Sequence, residues 1–224
     1  YFSPKGSYLA IVGDITLDEA KIMLDKHLSS WEVKSYENTI YEILSAPSKN
    51  EVSLVNKAGA VQSVINITYP VELHPASDDA LKVKVLNNIL GGGSSARLFR
   101  NLREDKAYTY GAYSSLSADE LGAEFVASAK VRNEVTDSAI VEFFKEINDL
   151  RTSKVSEEEL QGVINNMSGK FAIALERSST VASFAINIDY LGLDDDYYAT
   201  YLKQLSEITV DDIYEVAQKY LKPN

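Results

Sequence analysis

Apolar positions along the chain recur with two periods, two residues for strands and about 3.6 for helices, and the switches between them predict the order of elements. Residues 7–13 (SYLAIVG) are apolar on both sides and predict a buried strand, and the capping-box pattern Thr16 to Glu19 opens a helix after it. That helix places Leu17, Ala20, Leu24, Leu28 and Trp31 on one stripe. Residues 51–56 and 61–69 predict two strands; in the second, Val61, Ile65, Ile67 and Tyr69 share one face while Gln62, Asn66 and Thr68 share the other. Ser77 is positioned to cap a helix reaching Leu90, closed by Gly91, Gly92 and Gly93, since glycine takes the left-handed conformation past a helix end without strain. Ser94 or Ser95 then caps a short helix running to Arg103.

Residues 108–115 and 123–131 predict two more strands, antiparallel across a polar turn at residues 118–120. From Asn133 the pattern is almost wholly helical. Ile140, Phe143, Phe144, Ile147 and Leu150 form one apolar face, and Leu160, Val163, Ile164, Met167, Phe171 and Leu175 another. Capping signals recur at Ser156 to Glu159 and at Thr209 to Asp212. The order β-α-β-β-α-α-β-β followed by helices predicts an α+β fold, a mixed and mostly antiparallel sheet covered by helices on one face, with residues 1–224 as a single domain.

Composition narrows the chemistry. With 33 acidic against 22 basic residues the formal charge is −11, and no Lys/Arg cluster resembles a nucleic-acid footprint, so nucleic acid is not an expected partner. There is no cysteine, which excludes disulfides, thiolate metal sites and a cysteine nucleophile. No apolar run approaches the roughly 18–20 residues that cross a bilayer. The chain opens at Tyr1 without an initiator methionine or a leader pattern, and reads as a piece excised from a longer polypeptide of undetermined compartment.

Several motifs invite chemistry and fall short of it. Gly91-Gly92-Gly93-Ser94-Ser95 lacks the spacing and lysine of a phosphate-binding loop, so a helix stop and restart is expected there. Asp194-Asp195-Asp196 lacks the alternate ligands of a calcium loop and is expected to favour the positive end of the next helix. His27 and His74 have no ligand motif around them; a helix C-terminal cation and a turn residue are the expected roles. The most informative stretch is RLFRNLREDKAYTYG, residues 97–111. Leu98, Phe99 and Leu102 suit the buried side of a helix, and Arg97, Arg100 and Arg103 step along an outer ridge, with Arg100 spaced to pair with Glu104. Tyr108 and Tyr110 are expected on one face of the following strand and Tyr113 on the other. On the residues alone, packing and functional roles for these tyrosines both stand.

Four segments then carry a resemblance that spans nearly the whole chain: YFSPKGSYLAIVGDIT, NNILGGGSSARLFRNLREDKAYTYGAYS, SSTVASFAINIDYLG and ITVDDIYEVAQKYLKPN. Together they resemble the second domain of the insulinase/pitrilysin family of zinc metallopeptidases. The resemblance implies a domain that packs against a homologous partner domain around a peptide-binding chamber. In that family the partner carries H-x-x-E-H, the zinc and the general base; this chain has no such motif and is expected to hold no metal and to be inactive by itself. The second domain contributes an Arg and a Tyr seven residues apart, which match Arg103 and Tyr110 here and by resemblance reach the carbonyl groups of the substrate backbone. Phe99 matches a position lining the same wall. The implied function is the substrate-binding half of a zinc endopeptidase. Some relatives have lost the zinc motif, so a non-catalytic peptide-binding or scaffold subunit is the alternative.

Overall fold

In a computed structural model, residues 3–34, 47 and 49–223 are described; Tyr1, Phe2 and Asn224, at the outer ends of two of the four segments, lie outside them. Helix α1 (Leu17–Leu28) is followed by strand β1 (Gln62–Val71), helices α2 (Asp79–Leu90) and α3 (Arg97–Phe99), strands β2 (Thr109–Ser117) and β3 (Ala123–Arg132), and helices α4 (Thr136–Thr152), α5 (Glu157–Ala174), α6 (Ser178–Tyr190), α7 (Tyr197–Glu207) and α8 (Val210–Tyr220). Among the described residues the sheet has three strands in the order β1-β3-β2, both pairs antiparallel. The fold is α+β, and its described strands are wholly antiparallel.

Alternation along the strands decides which face the helices cover. In β3, Ala123, Phe125, Ala127, Ala129 and Val131 are buried, and in β1 Ile65 and Val71 are buried with Ile67 and Tyr69 packed against the same core. α2 packs against β2, and α4 against β3 and β1, while α8 lies against both α2 and α4. Phe143, Ile147 and Leu150 of α4 and Leu160, Ile164 and Met167 of α5 are buried on the predicted apolar faces, whereas Ile140 and Leu175, predicted with them, are exposed. Tyr69 stacks on Phe125 at 4.8 Å, donates to the Tyr220 carbonyl at 3.1 Å and accepts from the Lys222 amide at 3.1 Å, locking the C-terminal end of α8 to β1. The Thr16 and Thr209 capping boxes both form, and the Ser156 hydroxyl accepts from the Glu159 amide. The other side of the sheet is the more exposed one. It presents Gln62, Asn66 and Thr68 from β1 with Glu124, Ser128 and Lys130 from β3.

Two expected strands are absent among the described residues. Residues 7–13 and 51–56 form no ladder, because no neighbouring strand meets their backbone groups, and alternating apolarity without a partner does not make a strand. Their side chains stand in the open: Leu9 is 61% exposed and Val55 94%. The stripe on α1 is likewise uncovered, Ala20 being its one buried member. Ser3 donates to the Lys34 carbonyl and accepts from its amide, and Tyr8 meets Tyr190 of α6 edge-on at 5.9 Å.

Candidate functional site

The stretch from α2 to β2 is built around a close approach. A Cβ on Gly91 would lie 2.3 Å from the Ser114 backbone nitrogen, so glycine alone lets the end of α2 touch β2. Ser114 donates its amide to the Gly91 carbonyl at 3.0 Å and its hydroxyl to Asn87 Oδ1 at 2.8 Å. The glycine is therefore required for space rather than for a left-handed turn, its φ being −156°.

The helix that follows departs from the expected one. Its N-cap is Ala96, without a side-chain cap, instead of Ser94 or Ser95. After one α turn it widens into a π-helical segment, Arg100–Asp105, where the Lys106 amide donates to the Asn101 carbonyl at 3.0 Å. Widening changes which side chains line up. Arg100 meets Glu159 of α5 at 3.5 Å instead of Glu104, and Arg97 grips the same carboxylate through Nε at 2.8 Å and Nη2 at 2.5 Å. Leu98, Phe99 and Leu102 are buried as expected. Ala107, at φ 51°, then swings the chain into β2, and Arg132 Nη1 donates to its carbonyl at 2.8 Å.

A bulge in β2 sets the tyrosines. Thr109 pairs with Val131 but Ala112 pairs with Ala129, so one extra residue is inserted between them. The Thr109 hydroxyl stitches the bulge, donating to the Lys130 carbonyl at 2.6 Å and accepting from the Gly111 amide at 3.1 Å. Ala112, Ser114 and Leu116 face the core, whereas Tyr113 opposes Ser128 and is 46% exposed. The extra residue keeps Tyr110 on the open side with Tyr113, and Tyr110 is 85% exposed. Tyr108 packs against the core instead. The expected grouping, Tyr108 with Tyr110 and Tyr113 opposite, is thus corrected. Gly111, an isolated glycine within a strand, is the sequence signal that could have revealed the bulge.

Arg103 is exposed, with its guanidinium carbon 4.7 Å from the centroid of the Phe99 ring. Phe99 is only 4% exposed and its ring lies 5.8 Å from that of Tyr113. Arg103, Phe99 and Tyr113 therefore form a contact chain on the helix–strand unit that also presents Tyr110. Neither Arg103 nor Tyr110 has a hydrogen bond or ion pair among the described residues. Such a pair can donate to main-chain carbonyl oxygens without altering its own protonation.

A groove of about 930 Å³ lies on the other flank of this helix, lined by Arg97, Arg100, Asn101, Glu104 and Glu159, and neither Arg103, Tyr110 nor Phe99 lines it. Among the described residues no group of three or more His, Cys, Asp or Glu side chains is placed to hold a metal. His27 sits in the last turn of α1, and His74 Nδ1 accepts from the Ala76 amide at 3.1 Å in a turn. No helix of the described residues is long and apolar enough to cross a membrane.

Residues 1–167 match the family described as "Peptidase M16 inactive domain". The zinc protease PqqE of Helicobacter pylori is 25% identical over 232 residues, covering 99% of this chain and 50% of that protein. The non-peptidase homolog YmxG of the same organism is 23% identical over 215 residues, covering 95% of this chain and 48% of that protein. The crystal structure of a peptidase M16 inactive domain from Pseudomonas fluorescens superposes with a TM-score of 0.80 at 19% identity, covering 95% of this chain and 50% of that one. The chain spans about half the length of the relatives it matches.

Proposed function

Because the chain belongs to the peptidase M16 inactive-domain family, we propose that it is the substrate-binding half of a zinc-dependent endopeptidase, placing Arg103 and Tyr110 on the backbone of a peptide substrate. The observation that carries this reading is that these two donors, seven residues apart, stand exposed on one helix–strand unit with no polar partner of their own. A guanidinium and a phenol fit carbonyl oxygens, and they stabilise the negative charge that develops on the oxygen of a peptide bond under attack. Phe99 serves from beneath, as the surface on which Arg103 rests.

The described residues do not fit a zinc site: the chain has no cysteine, and its two histidines lie in α1 and in a turn, without companion ligands among the described residues. In this reading zinc belongs to a homologous partner domain carrying H-x-x-E-H, on the same or another chain, and this chain alone cleaves nothing. Exposure of both Arg103 and Tyr110 suits one half of a two-sided chamber.

The test is a peptide-cleavage assay on the polypeptide assembled with its partner domain, with and without chelator. Tyr110→Phe should lower kcat by about 10²–10³, or ~2.7–4 kcal/mol, as loss of one oxyanion donor does. Arg103→Ala should weaken both binding and turnover. Wild-type turnover in a folded Tyr110→Phe protein counts against the role. The similarity to a non-peptidase homolog favours a second reading, a scaffold that binds peptides uncleaved. It predicts no chelator-sensitive turnover, with a labelled peptide still bound through Arg103.

A further inference from the structure

We propose that Tyr113 is a positioning residue for Arg103, its ring propping the Phe99 ring that carries the guanidinium; the proposal rests on the reading of Arg103 given above. Arg97, Arg100 and Arg132 are each fixed by a carboxylate. Arg103 is not, and the interaction that holds its guanidinium among the described residues is with the Phe99 ring. An arginine side chain carries several rotatable bonds, and an aromatic face restrains them without drawing charge away from the guanidinium. The direction in which Arg103 points therefore depends on where the Phe99 ring lies.

Two features confine that ring. The helix buries Phe99 beside Leu98 and Leu102, which leaves Tyr113 as its aromatic neighbour, at 5.8 Å and 49°. Tyr113 is in turn seated over Gly111, where a Cβ would come within 2.7 Å of its ring. The bulge that inserts one residue before Ala112 also sets the reach of Tyr110. One backbone irregularity thus places both proposed donors, Tyr110 directly and Arg103 through Tyr113 and Phe99. A hydroxyl is not needed for this task, since no hydrogen bond of the Tyr113 phenol holds it in place among the described residues.

The decisive comparison uses Tyr113→Leu, which keeps apolar bulk for folding, and Tyr113→Phe, which keeps the ring. In the protein assembled with its partner domain, Tyr113→Leu should lower kcat/KM about 10–100-fold, the scale of a 1 Å misplacement. Tyr113→Phe should match wild type, and Tyr113→Leu combined with Arg103→Ala should be no slower than Arg103→Ala alone. In this chain by itself, the NMR shift of the Arg103 side-chain N–H, displaced by the Phe99 ring, should move toward its random-coil value in Tyr113→Leu. An unmoved shift, an additive double variant, or a Tyr113→Phe as slow as Tyr113→Leu overturns the proposal. Full turnover in Arg103→Ala instead overturns the substrate role of Arg103, and the proposal falls with it. Slow Arg103→Ala beside wild-type Tyr113→Leu overturns the positioning role alone.

Discussion

Ala107 occupies the left-handed region at φ 51°, directly between the π-helical segment that bears Arg103 and the strand that bears Tyr110. An L-residue there costs roughly 1–2 kcal/mol, and a glycine escapes that cost while losing about 0.4–1 kcal/mol through its freer unfolded chain. Ala107→Gly should therefore raise stability by up to about 1 kcal/mol, a Tm increase of roughly 2–4 °C in a domain of this size. Thermal unfolding followed by circular dichroism measures it, and a lowered Tm would show that the surrounding contacts favour alanine in that turn. At this scale the sequence disclosed the spacing of Arg103 and Tyr110 through resemblance, and nothing in the alternation of β2 disclosed their environment. Strict period-two reading set Tyr113 opposite Tyr110 because a single residue inserted between Thr109 and Ala112 changes the parity between them.

Helices opened by a full capping box, at Thr16 and Thr209, start where the pattern puts them, whereas Ser77 and Ser94 or Ser95 cap no helix, Asp78 and Ala96 holding those positions. Residues 7–13 and 51–56 misled because a strand is a property of two segments and the pattern describes one. The pairing of Arg97 and Arg100 with Glu159 of α5 was illegible for a related reason, since it joins residues far apart in sequence. Packing of α8 on α2 shows how such long-range pairs respond to pH. Asp79 at the start of α2 accepts from Lys219 Nζ at 2.6 Å and from the Tyr220 hydroxyl at 2.7 Å, and the Lys219 bond foremost holds its carboxyl below the ordinary 3.8. A lowered folded pKa means that its contribution is complete above pH 4 and disappears as the pH falls through the folded value. Lys219 is exposed and Asp79 only partly buried, so Asp79→Asn should cost only about 0.5–1 kcal/mol at pH 7. Urea unfolding should show this gap between variant and wild type closing as the pH drops from 5 to 3. A gap that persists unchanged would locate the effect in hydrogen-bond geometry rather than charge.

Across the whole molecule, apolar surface is distributed unevenly. The sheet and the helices α2, α4 and α8 enclose one core, while Leu9, Ile11, Ile22, Met23 and Trp31 in the N-terminal segment lie exposed, and α6, whose Tyr190 meets Tyr8, buries no residue fully. An apolar segment with no ladder among the described residues is costly to leave in water, and the partner domain of the proposed function is the cover expected for it. The prediction is a difference in amide hydrogen exchange. In this chain alone, residues 7–13 should exchange at rates near those of an unfolded peptide, because no ladder protects them. Joined to the partner domain they should slow by orders of magnitude, while amides of β3, already paired on both sides, stay slow in both forms. Fast exchange of residues 7–13 in the joined protein would mean that the partner docks without engaging this backbone. Protection already present in the isolated chain would mean that the segment finds its pairing within these residues, and that the open wall bearing Arg103 and Tyr110 is the surface left for the partner to face.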